Sequence, residues 1–269
     1  MRTSYHCHTV ITHGHSTASE YVRAAIAAGL DELGISEHYT LLPKDWGYPE
    51  TLEWSMPRNG LPNYFRALHA ARAEAGDKLV LRFGLEADFV PETAAELAEI
   101  LKAYPLDYVI GSVHFVDGFL TDESAGAWDA LSQDERNNMV RAYWRRVADM
   151  AESGLFDIAG HLELYKKFGH LPTVDVAADI TLALDALARA GMAVEVNTAG
   201  YHTAAGEIYP SLDILRECRK RGIPSLVTSD AHHIDHLTRS RDIGVAALRE
   251  AGYTEQATFA ERKMTLVPL

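Results

Sequence analysis

The feature that most constrains this chain is an alternation that runs from one end to the other. Short β-rich runs are each followed by a longer stretch of helical periodicity, the pattern of βα units around a parallel sheet. Seven such strands read as "TSYHCH" (3–8), "ELGIS" (32–36), "LVLRFGLE" (79–86), "DYVIGSVH" (107–114), "FDIAGH" (156–161), "MAVEVN" (192–197) and "PSLVTSD" (224–230). The first intervening helix opens on a capping-box pattern, Thr17 to Glu20, and closes at Gly29, while Pro91 marks a helix start. Later helices are expected in "DERNNMVRAYWRRVADMAESG", "VDVAADITLALDALARAG", "SLDILRECRKRG" and "IGVAALREAG". Seven βα units predict an α/β fold, a barrel whose strand C-termini open on one face and place the chemistry there. No linker, low-complexity tract or repeat interrupts residues 1–269, so one domain is expected. The longest irregular stretch, residues 39–60 with three prolines and two tryptophans, reads as a loop over that face.

The strand ends carry an unusual set of polar residues. In order they are His6 and His8, Glu37 with His38, Glu86, His114, His161, Asn197, and Asp230 with His232. One histidine at a strand end is ordinarily structural. So many metal-competent side chains at one mouth would repel each other and be costly to desolvate without cations to bind. Because side chains alternate along a strand, the H-x-H of "YHCHT" turns His6 and His8 to the same side, where both can grip one ion. A carboxylate such as Glu86 can bridge two ions, one on each oxygen, so multinuclear binding is expected. Mixed imidazole and carboxylate donors suit Zn, Fe or Mn better than Mg or Ca.

The net charge of −13 argues against a nucleic-acid partner, and "YKKFGH" and "RECRKRG" are too short to form a basic patch. Two cysteines, Cys7 and Cys218, far apart and in no C-x-x-C pair, point to a reducing compartment, the cytoplasm by default. No apolar run approaches the length of a membrane span, and "MRTSYHCH" leads directly into polar residues. A small-molecule partner is expected. Oligomeric state is not legible, because no exposed apolar helix face stands out.

In order along the chain, "HCH" followed by His13, "SEHY", "GLEADF", "GSVH", "AGHLEL" and "SDAH" resemble the motif set of the polymerase and histidinol phosphatase (PHP) superfamily. Within it, "GLEADF", "DYVIGSVHF", "GHLELYKKFGH" and "EVNTAG" are similar to the monofunctional histidinol-phosphate phosphatases. The resemblance implies a distorted (β/α)7 barrel with the metal site at the C-terminal mouth of its strands and three transition-metal ions: one held by His6, His8, Glu86 and Asp230, a second by Glu86, His114 and His161, and a third by His13, His38 and His232. His15 is the alternative to His13, because the loop "TVITHGH" is a residue shorter than in relatives.

The implied reaction is hydrolysis of a phosphate monoester, L-histidinol phosphate, to L-histidinol and phosphate, a late step of histidine biosynthesis. Glu86, Asp230 and His232 are the residues expected to carry catalysis, and His202, Lys167 and Asn197 are the candidates for substrate binding. Relatives often have an arginine shortly after "NTAG", where this chain has His202. A protonated His202, Lys166 or Lys167 would then have to face the phosphate. Asp88, Glu163 and Glu37 can meet the aminoalcohol end of the substrate or orient the ligand histidines. Within the superfamily, phosphodiesterase action on nucleic acid and phosphatase action on another small metabolite are the rival readings.

Overall fold

A computed structural model describes residues Met1–Leu269. It is an α/β fold with parallel sheets. Its strands are β1 (Thr3–Ser4), β2 (Glu32–Ile35), β3 (His38–Tyr39), β4 (Val80–Phe83), β5 (Glu86–Asp88), β6 (Ile110–Ser112), β7 (Phe115–Val116), β8 (Phe119–Leu120), β9 (Ile158–Ala159), β10 (Ala193–Asn197), β11 (Ser225–Thr228), β12 (Glu255–Ala260) and β13 (Lys263–Pro268). The helices are α1 (Ala18–Ala27), α2 (Leu61–Ala75), α3 (Ala94–Lys102), α4 (Ala125–Asp129), α5 (Gln133–Glu152), α6 (Ala177–Ala190), α7 (Leu212–Lys220) and α8 (Arg241–Glu250).

One parallel sheet has the order β1-β2-β4 and a second the order β11-β10-β9-β6-β5-β3. Hydrogen bonds knit the two together. Gly84 N–H donates to Ile35 O (2.9 Å) and Glu86 N–H to Glu37 O (3.0 Å), so β2 and β4 bend side by side into β3 and β5. Asp107 N–H reaches Phe83 O (2.7 Å) and Ile110 N–H reaches Leu85 O (2.8 Å), joining that pair to β6. At the far flank His8 N–H donates to Ala231 O (2.8 Å) and Ala231 N–H to His6 O (3.0 Å), around a parallel bridge between Cys7 and Ala231. Parallel contacts thus run from β1 through every expected strand position to β11 and back to the H-x-H segment.

The helices form where the sequence signals them. Thr17 and Glu20 make the capping box of α1, and Gly29 follows the helix at φ +67°, a conformation open to glycine without a Cβ penalty. Their apolar faces pack on the outside of the sheets in a cluster of 53 buried residues. Inside, Tyr5, Tyr108, Ile110, Ile158, Ala193 and Leu226 form a second cluster with Ala257 and Phe259 of β12. No helix is long and apolar enough to cross a membrane.

The antiparallel hairpin β12–β13 is not foreshadowed by the sequence pattern. Its turn residues Glu261 and Arg262 both have positive φ (50° and 62°), a conformation usually announced by Asn-Gly or Asp-Gly. Tertiary contacts hold it instead: Glu261 N–H donates to Asp107 Oδ1 (3.1 Å), Arg262 N–H to Asp107 O (2.9 Å), and the Arg262 guanidinium pairs with Asp157 and Leu155 O. The hairpin covers the inner cluster at the end of the strands away from the histidines.

The bend between β4 and β5 depends on Gly84, where an added Cβ would lie 2.1 Å from the Tyr108 ring. Tyr108 is fully buried and its hydroxyl donates to Tyr5 O, so it has nowhere to move. Gly84→Ala is expected to destabilise the fold by about 1–3 kcal/mol through overpacking, read as a lower urea midpoint. A parent-like midpoint would show that Tyr108 can relocate.

Candidate metal centre

Period-two alternation sorts the inward side chains into layers. On β10, Ala193 belongs to the inner apolar cluster, Glu195 lies above it and Asn197 stands at the strand end. On the β11 path Leu226, Thr228 and Asp230 repeat the order, as do Ile110, Ser112 and His114 along β6. The apolar layer is the floor, the middle layer is polar, and the top layer is the ring of histidines and carboxylates.

Glu86 is at the centre of that ring, 1% exposed and paired in register with His38. Its Oε2 lies 3.1 Å from His6 Nε2, 3.2 Å from His8 Nε2 and 2.8 Å from His38 Nδ1. Its Oε1 faces His161 Nε2 at 2.9 Å and His114 Nε2 at 3.7 Å, and accepts from Ser112 Oγ at 2.6 Å. Asp230 Oδ1 closes the other side, 3.5 Å from His6 Nε2 and 3.3 Å from His8 Nε2. Asp230 holds a left-handed φ of 49°, a strained conformation for a non-glycine residue of the kind that collects at functional sites.

Many of these atoms are buried without a well-directed hydrogen bond: His6 Nε2, both nitrogens of His8, His38 Nδ1, Glu86 Oε2 and Asp230 Oδ1. Buried polar groups are almost always satisfied, and here unsatisfied donors and acceptors of the metal-ligand type point at one another. Four triples have ligand atoms within 4.8 Å of one another and can each hold an ion: His6, His8 and Glu86; His38, Glu86 and His114; His6, His161 and Asp230; and His8, His38 and His232. The residues fit transition-metal ions, and Glu86 belongs to two of the four triples.

Charges in the cluster push one another's protonation apart. Burial favours a neutral His8, but the Asp230 and Glu86 carboxylates beside it outweigh burial and push the imidazole up to about 9. His114 is likewise raised to about 10, with burial overcome by Asp88. Burial opposes ionisation of Glu86 and Asp230, yet the surrounding imidazoles hold both well below the usual carboxylate range. His232 drops to about 3 through burial and its neighbour His8.

The surrounding residues fix the ligand rings. His6 Nδ1 donates to Glu195 Oε2 at 2.8 Å and His114 Nδ1 to Asp88 Oδ1 at 2.9 Å, which leaves each Nε2 lone pair turned to the centre. Glu37 accepts from Thr9 N–H (2.8 Å) and from the hydroxyls of Thr9 and Thr12, tying down the loop that carries His13. Glu163 accepts from Ser211 N–H (2.6 Å) and pairs with Lys166, so it orients no histidine. Glu195, whose carboxylate holds the His6 ring, is a residue that the strand-end inventory passed over, although its place two residues before Asn197 in "VEVN" puts it on the same inward face.

His13 reaches the ring from its loop. Its imidazole centroid lies 4.3 Å from that of His232 and 5.0 Å from that of His38, and its Nδ1 donates to Trp54 O at 3.2 Å. His15 is exposed and does not line the cavity above the ring.

That cavity measures about 780 Å³ and is walled partly by the loop expected over the mouth, through Tyr48, Leu52, Glu53 and Trp54. Of the substrate-binding candidates, Lys167 lines it but is paired with Asp122 Oδ2 at 3.0 Å. Asn197 does not line it: fully buried, its amide donates to Glu195 Oε1 (3.0 Å) and its Oδ1 accepts from Ala199 N–H (2.9 Å). His202 lines it, with Nε2 at 3.0 Å from Ser240 Oγ. Partial burial and the neighbouring Arg239 guanidinium lower its proton affinity below the ordinary histidine value, which disfavours the imidazolium. Neither Asp88, Glu163 nor Glu37 reaches the cavity, whereas Asp122, Glu123 and Glu53 do.

With this geometry in hand, comparison with known proteins gives a consistent result. The family model described as "PHP domain" matches residues 4–199. The chain belongs to the PHP family. Among PHP relatives, the protein named "Probable histidinol-phosphatase" of Deinococcus radiodurans is 37% identical over 263 residues, covering 96% of each chain. The histidinol-phosphatase of Bacillus subtilis is 29% identical over 266 residues, covering 90% of this chain and 95% of its own. The solved histidinol phosphate phosphatase of Lactococcus lactis subsp. lactis, in complex with Zn, L-histidinol and phosphate, superposes with a TM-score of 0.83 at 24% identity. The superposition covers 98% of both chains, so this PHP protein shares that fold along its whole length.

Proposed function

We propose that this PHP protein is a histidinol-phosphatase, hydrolysing L-histidinol phosphate to L-histidinol and phosphate. The observation that carries the reading is the buried Glu86 carboxylate with five imidazoles around it, beneath a cavity lined by side chains of both charge signs. The 37% identity to the Deinococcus relative along nearly the full chain supports the substrate. In this reading the parallel circuit of strands is a distorted (β/α)7 barrel, residues 1–269 act as one domain, and the enzyme works in the cytoplasm as a monoester phosphatase without nucleic acid.

The proposed ligands are His6, His8, Glu86 and Asp230 for one ion, Glu86, His114 and His161 for a second, and His13, His38 and His232 for a third. The metals would be Zn, Fe or Mn by donor chemistry. When bound, such ions supply Lewis-acid charge neutralisation and acidify water for attack on phosphorus. The chain's own part is preorganisation. Glu195 and Asp88 aim imidazole lone pairs inward, Ser112 steadies Glu86, and Trp54 and Tyr48 narrow the mouth above the reacting group. The carboxylates of Glu123 and Glu53 give the cavity an acidic wall suited to the cationic aminoalcohol end, while that of Asp122 is paired with Lys167.

Phosphate release from histidinol phosphate, measured beside nucleotides and single-stranded DNA, tests the reading directly. Turnover confined to nucleotides or DNA would overturn it. Within the loop, His13→Ala is expected to lower metal content and turnover by tenfold or more, the scale of a lost ligand contact. His15→Ala, whose ring lies outside the cavity, is expected to stay close to the parent. The reverse order would move the ligand role to His15.

A further inference from the structure

The sequence leaves the phosphate without an obvious cation, and the fold brings one from an unexpected place. Arg239 follows the "SDAH" strand end by seven residues beyond His232 and lines the cavity beside Asp230, His232 and His202. Its backbone is anchored on both sides. The carbonyl accepts from Thr198 Oγ1 at 2.8 Å, and the N–H donates to His236 O at 3.0 Å. Its guanidinium is not consumed by the protein. No carboxylate lies within ion-pair distance, and Nε is buried without a hydrogen bond.

The other basic groups nearby are already engaged. Lys167 is paired with Asp122, and Lys166 is held by Glu163 and by Glu207 at 3.0 Å. His202 bonds to Ser240, and the adjacent guanidinium disfavours its protonation. Desolvating a guanidinium without a partner is unfavourable unless a ligand supplies the anion. Its planar fork of donors matches two phosphoryl oxygens at once, which neither an ammonium nor an imidazole can do.

We propose that Arg239 is the residue that binds the substrate's phosphoryl oxygens, taking the part that an arginine after "NTAG" would otherwise fill. The proposal rests on the phosphatase reading above. Arg239 and the acidic wall come from different sides of the ring of strands, so the cavity is bipolar. It orients a molecule with an anionic phosphate and a cationic amine so that the phosphorus faces Asp230 and His232, which line the cavity beside Arg239.

The test uses the metal-loaded full-length protein and its Arg239→Gln and Arg239→Lys variants. Three quantities are read: KM and kcat for histidinol phosphate, the inhibition constant of inorganic phosphate with p-nitrophenyl phosphate as a generic monoester, and metal content by elemental analysis. Arg239→Gln is expected to raise both KM and the phosphate inhibition constant by about tenfold to a hundredfold, the range for a lost charge-assisted hydrogen-bond pair. Arg239→Lys should fall between, since a point charge recovers part of the attraction, and both variants should keep their metal. Parent-like values in Arg239→Gln would overturn the proposal. So would metal loss in both variants, which would make Arg239 a support of Asp230 instead. A parent enzyme that cleaves p-nitrophenyl phosphate but not histidinol phosphate would defeat the substrate reading alone, because the inhibition constant still reports on Arg239.

Discussion

Replacing Glu86 with glutamine is expected to empty most of the site of metal and to reduce turnover by about a thousandfold or more. Each ~1.4 kcal/mol of lost transition-state stabilisation is a factor of ten, and metal-borne charge stabilisation is worth several kcal/mol. The reason lies in the two oxygens. Oε2 faces His6, His8 and His38 while Oε1 faces His114 and His161, so loss of its charge would be felt by both groups of imidazoles proposed to hold ions. A glutamine keeps the shape, loses the charge and offers an amide nitrogen that cannot ligate. His161→Ala, by contrast, removes one donor from one group and should strip less metal. Elemental analysis of the purified variants with parallel phosphate-release assays decides it. Full metal content and near-parent turnover in Glu86→Gln would remove Glu86 from the centre.

The second large effect is expected at a residue that touches neither cavity nor metal position. Glu195 is completely buried and accepts four hydrogen bonds: Oε2 from His6 Nδ1 and Thr228 Oγ1 (2.8 and 2.7 Å), Oε1 from the His161 N–H and the Asn197 amide (2.6 and 3.0 Å). In Glu195→Gln an NH2 turned to the Oε1 side faces two obligate donors, the His161 N–H and the Asn197 amide, and leaves buried groups unpaired at about 1–3 kcal/mol. Turned to the Oε2 side, it is satisfied only if Thr228 Oγ1 and His6 Nδ1 switch from donating to accepting. If the amide faces His6, the ring loses the acceptor that fixes its tautomer and aim. Metal affinity should fall by about 10–100-fold, the usual scale for a lost partner of a ligating histidine. Chelator competition measures this, and a thermal melt of the chelated protein separates it from lost stability. A variant destabilised without metal but with parent affinity would reduce Glu195 to a structural role.

The order of elements was legible because βα alternation is local: each strand and helix declares its own period, and the capping box at Thr17 and the stop at Gly29 lie where the sequence marks them. The convergence of the strand-end imidazoles and carboxylates was legible for the same reason, since strand C-termini gather at one mouth in any fold of this class. What the sequence lacked was the signal for features stabilised only at a distance. The β12–β13 turn uses Glu261 and Arg262, neither a turn former, because Asp107 and Asp157 hold it from strands far away in the chain. The breaks after Ile35 and Phe83 occur together because two neighbouring strands must bend around one Tyr108 ring.

The sequence by itself therefore determined the class of fold, the identity of the imidazoles and carboxylates at the strand ends, and the family to which the chain belongs. Only the tertiary structure decided which of those groups face each other and what charge each carries. It separated Asp88, which orients His114, from Asp122, which faces the cavity, and it buried Asn197 in hydrogen bonds with its neighbours. It also set Arg239 beside His202, where a fixed positive charge favours the neutral imidazole. The physical reason is that residue type and spacing act along the chain, whereas desolvation and charge–charge interaction depend on distances across it.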